Sequence, residues 1–277
     1  MRDYLIFQLY GPLASWGDIA VGETRPSALT PTKSAILGLV AAALGLKRPD
    51  TIHYENDQPR TSSEQAECDA GHAKLAEGYG MAVKVEAFGL PLSDYQTAEV
   101  PKGRHFASRR DEITEVIHQK RSGNFKGTIL SRREYRQDAF CAVALWSRTE
   151  ALHTLDELRR ALLEPGFTLY LGRKACPLAL PMHPRVVKAV EWVEDALAGV
   201  SLSTTLEGLA AAGGGEMLKL VRHFELNQTT LLWDDDAETR LEREQTVTRR
   251  DTPLSRRRWQ FKTRDEHRAH LVTGDPS

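Results

Sequence analysis

One block constrains this chain more than any other. Thr24-Arg25-Pro26-Ser27-Ala28-Leu29-Thr30-Pro31-Thr32-Lys33-Ser34 runs directly into an apolar stretch from Ala35 to Leu46. A stretch with no polar face has no side to offer solvent, so the segment reads as a loop feeding a buried helix. Thr30 is the expected N-cap and Pro31 the first helical residue. Lys33 and Ser34 then fall in the first turn, where free N–H groups and the positive end of the helix dipole point outward. A lysine there opposes the dipole unless something negative lies nearby. A phosphate is the functional candidate, and a solvated lysine on the open face of a core helix is the plain alternative.

The rest of the chain is that of an ordinary globular protein. Its 277 residues suffice for one large domain or two modest ones, and 41% hydrophobic with 27% charged residues is unremarkable. The apolar run near 35–46 is too short to span a bilayer. Met1-Arg2-Asp3 leads straight into Tyr4-Leu5-Ile6-Phe7, which reads as a strand and not as a secretory leader. Cys68, Cys141 and Cys176 lie far apart with no CxxC, so neither a disulfide framework nor a zinc site is indicated. A cytoplasmic protein without metal or cofactor is expected.

A net charge of −1 hides strong segregation. Residues 96–137 hold ten Lys/Arg against five Asp/Glu, and residues 240–268 again hold ten against five. Residues 50–80 and 191–216 are acidic. Two basic islands on a near-neutral chain suggest a polyanion held at defined places, the alternative being pairing with the acidic islands. Phe106, Phe125 and Tyr135 interleave the first island, a pattern suited to single-stranded RNA.

The order of elements is legible through residue 175. A strand at 3–9 and the buried helix are followed by a polar loop or weakly ordered insertion at 47–71, a short helix around Ala73–Leu75 and a strand at 81–88. The basic stretch 96–137 reads as a hairpin or loop projecting from the core. A near-continuous apolar strand covers 138–146. Thr154 with Glu157 forms a capping box opening a helix that buries Leu155, Leu158 and Leu162, and a strand at 167–171 closes the series. This β-α-β-β-α-β order is that of a ferredoxin-like, RNA-recognition-type domain in an α+β chain, expected over 1–180. A smaller, irregular β-rich region is expected over 181–277, with a helix at 186–197, strands at 217–224 and 229–233, and a basic tail.

Walker, GxGxxG, HExxH and GxSxG motifs are absent. Tyr95, Lys102 and His105 are the residue types that a metal-independent ribonuclease would need as acid, base and cation. A histidine with an ordinary structural role is the alternative at His105. Cys176, followed by Pro177, reads as a small buried residue. Arg132-Arg133-Glu134-Tyr135 is the densest mixture of cation and aromatic, and as a strand it would put Arg133 and Tyr135 on one face, Arg132 and Glu134 on the other.

Six short blocks then stand in a telling order: Gly11-Pro12-Leu13-Ala14-Ser15-Trp16-Gly17, Thr24-Arg25-Pro26, Pro31-Thr32-Lys33-Ser34, Asp94-Tyr95-Gln96-Thr97, Ser131-Arg132-Arg133-Glu134-Tyr135 and Tyr170-Leu171-Gly172-Arg173-Lys174-Ala175-Cys176-Pro177-Leu178. Together they resemble the CasD-type RAMP subunits of type I-E CRISPR Cascade, over roughly residues 1–180. The resemblance implies a ferredoxin-like domain with a protruding basic thumb near 96–132. It also implies a non-catalytic subunit that binds the 5′ handle of the crRNA, caps the backbone filament and wedges its thumb against the guide in antiviral defence. Expected RNA contacts are Arg133 foremost, then Lys33, Arg25, Arg104, Arg109, Arg110, Lys126, Arg132, Tyr135, Arg173 and Lys174. Implied partners are the crRNA, the Cascade backbone and large subunits, and target DNA near the protospacer-adjacent end, with no membrane. The alternative, drawn from type I-C relatives, is an endoribonuclease that cuts precursor crRNA.

Overall fold

The structure, a computed structural model, describes residues 1–20, 22–49, 53–55, 58–60, 63–101, 106–125, 127–211 and 229–271. Strand β1 (Arg2–Tyr10) runs into four two-residue strands, β2 (Leu13–Ala14), β3 (Trp16–Gly17), β4 (Thr24–Arg25) and β5 (Ser27–Ala28), and then into α1 (Lys33–Ala43). A small ribbon, β6 (His53–Glu55) with β7 (Gln58–Arg60), and α2 (Ser63–Gly78) precede β8 (Tyr79–Ala87). Next come β9 (Leu90–Glu99), α3 (Arg109–Arg121) and β10 (Thr128–Gln137), then β11 (Phe140–Ser147), α4 (Leu155–Leu163) and β12 (Arg185–Val190). The chain ends with α5 (Val193–Ala198), α6 (Leu202–Ala211), β13 (Thr229–Asp234), β14 (Gln245–Ser255) and β15 (Gln260–Leu271).

The main sheet has the order β12-β1-β11-β8-β13-β15-β14. Its alternating side chains explain why the central strands are apolar on both faces. In β11, Cys141, Val143 and Leu145 point to a core shared with α1 and α4, while Ala142, Ala144 and Trp146 point to a second core under α5. In β1, Leu5, Phe7 and Leu9 face the first core, and Tyr4 and Ile6 face the second. Each fully buried Leu or Phe of this kind stabilises by about 1.5–3 kcal/mol. Trp146 lies flat over Gly80 on the neighbouring strand, where a β-carbon would come within 2.1 Å of the indole. Only glycine fits there.

Several local readings shift. The cap of α1 is Thr32, which has an extended backbone and accepts from the Ala35 N–H at 3.2 Å, and not Thr30. The Thr30 hydroxyl instead accepts from Arg249 at 2.9 Å. The polar segment read as a loop to residue 71 holds most of α2, a helix built from Glu, Ala, Gln and Lys, which favour helix without supplying an apolar stripe. The strand expected at 167–171 is reduced to one bridge, Tyr170 with Pro177. Its place beside β1 is taken by β12, where Val186, Val187 and Val190 had been read as helical. Helix α5 is correspondingly short. The strand expected at 217–224 lies outside the described residues. The boundary expected at 180 falls inside one continuous sheet, because β12 flanks it at one edge and β13, β15 and β14 extend it at the other.

A second sheet positions the candidate site. β9 and β10 pair antiparallel without interruption from Glu99–Thr128 to Leu90–Gln137. Ten residues per strand make a ribbon roughly 30 Å long. Near its root β10 is flanked by β2 and, in parallel, by β4. At its far end stands α3, capped by Ser108, whose Oγ accepts from the Asp111 N–H at 3.2 Å. Asp111 and Glu112 sit in its first turn, and His118, Lys120 and Arg121 in its last, matching the helix dipole at both ends.

Candidate nucleic-acid interface

Strand pairing gathers cations at the ribbon root. The register Arg132–Thr24 and Arg133–Arg25 between β10 and β4 sets three arginines on neighbouring backbone positions, and the side chains of Arg25, Arg132 and Arg133 are exposed. Arg25 turns its Nη1 onto the carbonyls of Gly22 (2.5 Å) and Thr24 (3.1 Å). Beside them the turn 171–176 brings Arg173 and the exposed Lys174. This turn is fixed by Ser15 N–H donating to the Leu171 carbonyl (3.0 Å) and Leu171 N–H donating to that of Cys176 (2.8 Å). Gly172, at φ +84, closes it; a β-carbon there would lie 1.8 Å from the Ser15 carbonyl oxygen.

Arg173 is committed to structure. Its guanidinium donates to the carbonyls of Glu134 (3.1 Å) and Arg25 (2.9 Å), stitching β10 to β4, and stacks 4.7 Å from the Tyr135 ring centroid. Tyr135 is correspondingly buried, so the ring expected to receive a base is covered by Arg173. Tyr135 points into the first core near the root of β10, while Arg133 on the same face and Arg132 on the other reach solvent nearer the free end.

Lys33 also departs from expectation. It is 2% exposed, and its ammonium lies 2.6 Å from Asp234 Oδ2. The Lys33 backbone N–H, one of the free donors of the helix start, donates to Asp251 Oδ2 at 2.8 Å. Burial lowers the lysine pKa, with Asp234 opposing that shift. The negative partner demanded by the helix N-terminus is therefore internal, and Lys33 presents nothing to a ligand. Arg264 completes the cluster by donating to Asp234 (2.9 Å), both oxygens of Asp251 (2.8 and 2.9 Å) and Glu266 (2.9 Å). Burial opposes its charge, and the three carboxylates prevail and raise its pKa.

The remaining candidates are dispersed. Arg109 and Arg110 open α3, and Arg109 pairs with Glu112 on the same helix. Tyr95 is exposed on β9, opposite Arg132. Lys102, Arg104, His105 and Lys126 lie outside the described residues, so Tyr95 alone of the nuclease trio has a described position. Cys141 and Cys176 are buried, and burial raises both thiols, Cys141 to about 12. Among the described residues no cluster of His, Cys, Asp and Glu could hold a metal ion, and no helix is long and apolar enough to cross a membrane.

Comparison with known proteins places this architecture. Residues 4–266 match the family described as "CRISPR-associated protein (Cas_Cas5)". The chain belongs to this family. A Cas5 relative, the CRISPR system Cascade subunit CasD of Escherichia coli (strain K12), is 35% identical over 190 residues, covering 66% of this chain and 70% of CasD. A chain of a solved CRISPR RNA-guided surveillance complex superposes with a TM-score of 0.58 at 20% identity, covering 97% of this Cas5 chain and 90% of its own length. A second solved Cas protein superposes with a TM-score of 0.50 at 21% identity, covering 97% and 94%. These two similarities show a fold shared over nearly the whole chain, including the C-terminal strands beyond the blocks that carry the sequence resemblance.

Sequence reasoning missed the roles of Asp234 and Asp251 as internal carboxylate partners, whereas the Arg-rich stretch 248–260, expected as a strand edge or loop returning to the first domain, holds β14 and the turn Arg256–Trp259. No local signal marked the two carboxylates.

Proposed function

We propose that this protein is the Cascade subunit that holds the 5′ handle of the crRNA and caps the backbone filament without cutting RNA. In this reading β12-β1-β11-β8 with α1 and α4 is the ferredoxin-like, RAMP-type unit, and the helix-tipped ribbon of β9, α3 and β10 is its thumb. The observation that carries it is the exposed arginine group Arg25, Arg132 and Arg133 at the ribbon root of a Cas5-family chain. Guanidinium groups on a rigid strand suit phosphates, which accept paired N–H donors. Similarity to CasD, itself named as a Cascade subunit, supports membership of such an assembly. The apolar positions Ile113 and Ile117, exposed on α3, suit a protein neighbour along the thumb.

The test is incubation with a labelled repeat RNA in EDTA, reading retention and cleavage together. Retention of intact handle RNA, weakened by Arg133→Ala, is the expected result. Specific cleavage that disappears in His105→Ala would replace this reading with the processing nuclease. If the isolated chain does neither, the assay is repeated with the backbone subunit present, where failure to retain RNA sinks the proposal.

A further inference from the structure

The second basic island divides into two kinds of arginine. Arg249 and Arg268 share Glu266, and Arg264 has three carboxylates. Arg256 has none among the described residues. It lies in the four-residue turn between β14 and β15, pressed against α1, where its Nη2 donates to the Ser34 carbonyl at 2.5 Å. Its Nε is buried with no hydrogen-bond partner. The nearby carboxylate, Asp69 on α2, is turned to the Ser255 hydroxyl (2.6 Å) and the Arg257 N–H (3.1 Å). The charge that Arg256 feels most is another cation, Arg48, and burial together with Arg48 pulls its pKa down to about 10. A cation partly withdrawn from water without a counter-anion is costly, and this hairpin supplies anions to Arg264, its other half-buried arginine.

An aromatic platform stands over that charge. Trp259 is 56% exposed, with Arg48 4.5 Å and Arg256 5.9 Å from its ring centroid. Phe261 meets it edge-on at 5.4 Å. Trp259 also has φ +54, a left-handed conformation that a bulky residue seldom adopts and that turns ordinarily give to glycine or asparagine. The hairpin thus displays a large ring at a position its backbone disfavours.

We propose that Trp259, Arg48 and Arg256 form a second contact for single-stranded nucleic acid, with a phosphate between the two guanidinium groups and a base on the indole. A free anion would need no exposed ring, whereas cations beside an aromatic face are what a single strand recognises. The contact is separate from the ribbon root: the turn packs on α1 and α2, not on β4 or β10. The exposed Arg258 adds charge along the same turn.

The experiment uses the full chain with Arg25, Arg132 and Arg133 all replaced by Ala, so that residual binding does not report the ribbon root. Fluorescein-labelled oligouridylate and oligothymidylate are titrated by anisotropy, and indole quenching is followed in parallel. Trp259→Ala should weaken binding at least about fivefold, the equivalent of one stacked base, and Trp259→Phe should abolish the quenching. Arg48→Gln should lower the slope of log affinity against log salt by about 0.7, one phosphate on a single strand. Preference for one polymer identifies the strand as RNA or DNA, and either supports the site. Unchanged affinity in Trp259→Ala at unchanged Tm overturns the proposal and leaves the turn as packing for α1. Binding of tripolyphosphate alone, indifferent to Trp259, overturns it equally. Neither result bears on the handle, which Arg133→Ala tests in the wild-type background.

Discussion

Arg133 and Arg173 belong to one surface and have opposite commitments, which single substitutions separate. Arg133→Ala removes an exposed guanidinium that holds none of the described residues in place, so handle affinity should fall by about 1.5–3 kcal/mol, the range for a charged hydrogen bond, with Tm unchanged. Arg173→Ala removes two carbonyl contacts and the cover over Tyr135, so thermal unfolding should show a loss of about 1–2 kcal/mol. Lys33→Ala leaves Asp234 and its arginines around a void and should cost about 3–5 kcal/mol, measured by urea unfolding. Asp236 sets a pH limit. Burial would raise its carboxyl, but Arg148 and the Trp146 N–H overcome this and hold it at about 2. A value lower in the folded state than in the unfolded chain stabilises above the ordinary carboxylate range, and that stability is lost as pH falls from about 4 towards 2. Tm against pH should drop across that window, and Asp236→Asn should flatten the drop. At this scale the exposed arginines were legible from the charge pattern. The fate of Lys33 was not, because its partners lie 201 and 218 residues further along the chain.

Elements divide by whether their reason for folding is local. Helix α4 was legible to the residue, since Thr154 and Glu157 satisfy each other's backbone N–H groups within one turn. Strand β11 was legible because burial on both faces writes an unbroken apolar run. Helix α2 was hidden because a mostly solvated helix carries little periodic pattern. Strand β12 was misread because valines spaced for a helix stripe also suit an edge strand. The basic stretch, read as a hairpin or loop, holds the paired strands β9 and β10, but α3 between them, with only Val116 buried, left no amphipathic signature. The turn carrying Arg173 depends on Gly172. Gly172→Ala has both a disfavoured φ and a backbone oxygen in the way, so it should lose more than about 2 kcal/mol of stability and weaken handle binding with it. Restoration of binding by lowering temperature would trace both losses to the displaced turn.

Across the whole molecule, the last hairpin closes what the first helix opens. Helix α1 starts on Lys33, whose N–H and ammonium are received by Asp251 of β14 and Asp234 of β13, while β14 packs against both α1 and α2. That the chain mixes helices with antiparallel strands was legible from the early order of elements, yet this closure was not, since it joins segments with no shared pattern. Removing residues 245–277 should leave the start of α1 without Asp251, one of its two carboxylate partners, and β13 with an open edge, and the truncated chain should be recovered as aggregate. The same connection sets a schedule for biosynthesis. Lys33 leaves the ribosome 218 residues before Asp251, so at about 5–20 residues per second its backbone N–H waits roughly 10–45 s for its acceptor. A nascent chain stalled before β14 would therefore have its central strands and no finished fold, and holding that intermediate soluble falls to whatever meets it at the tunnel exit.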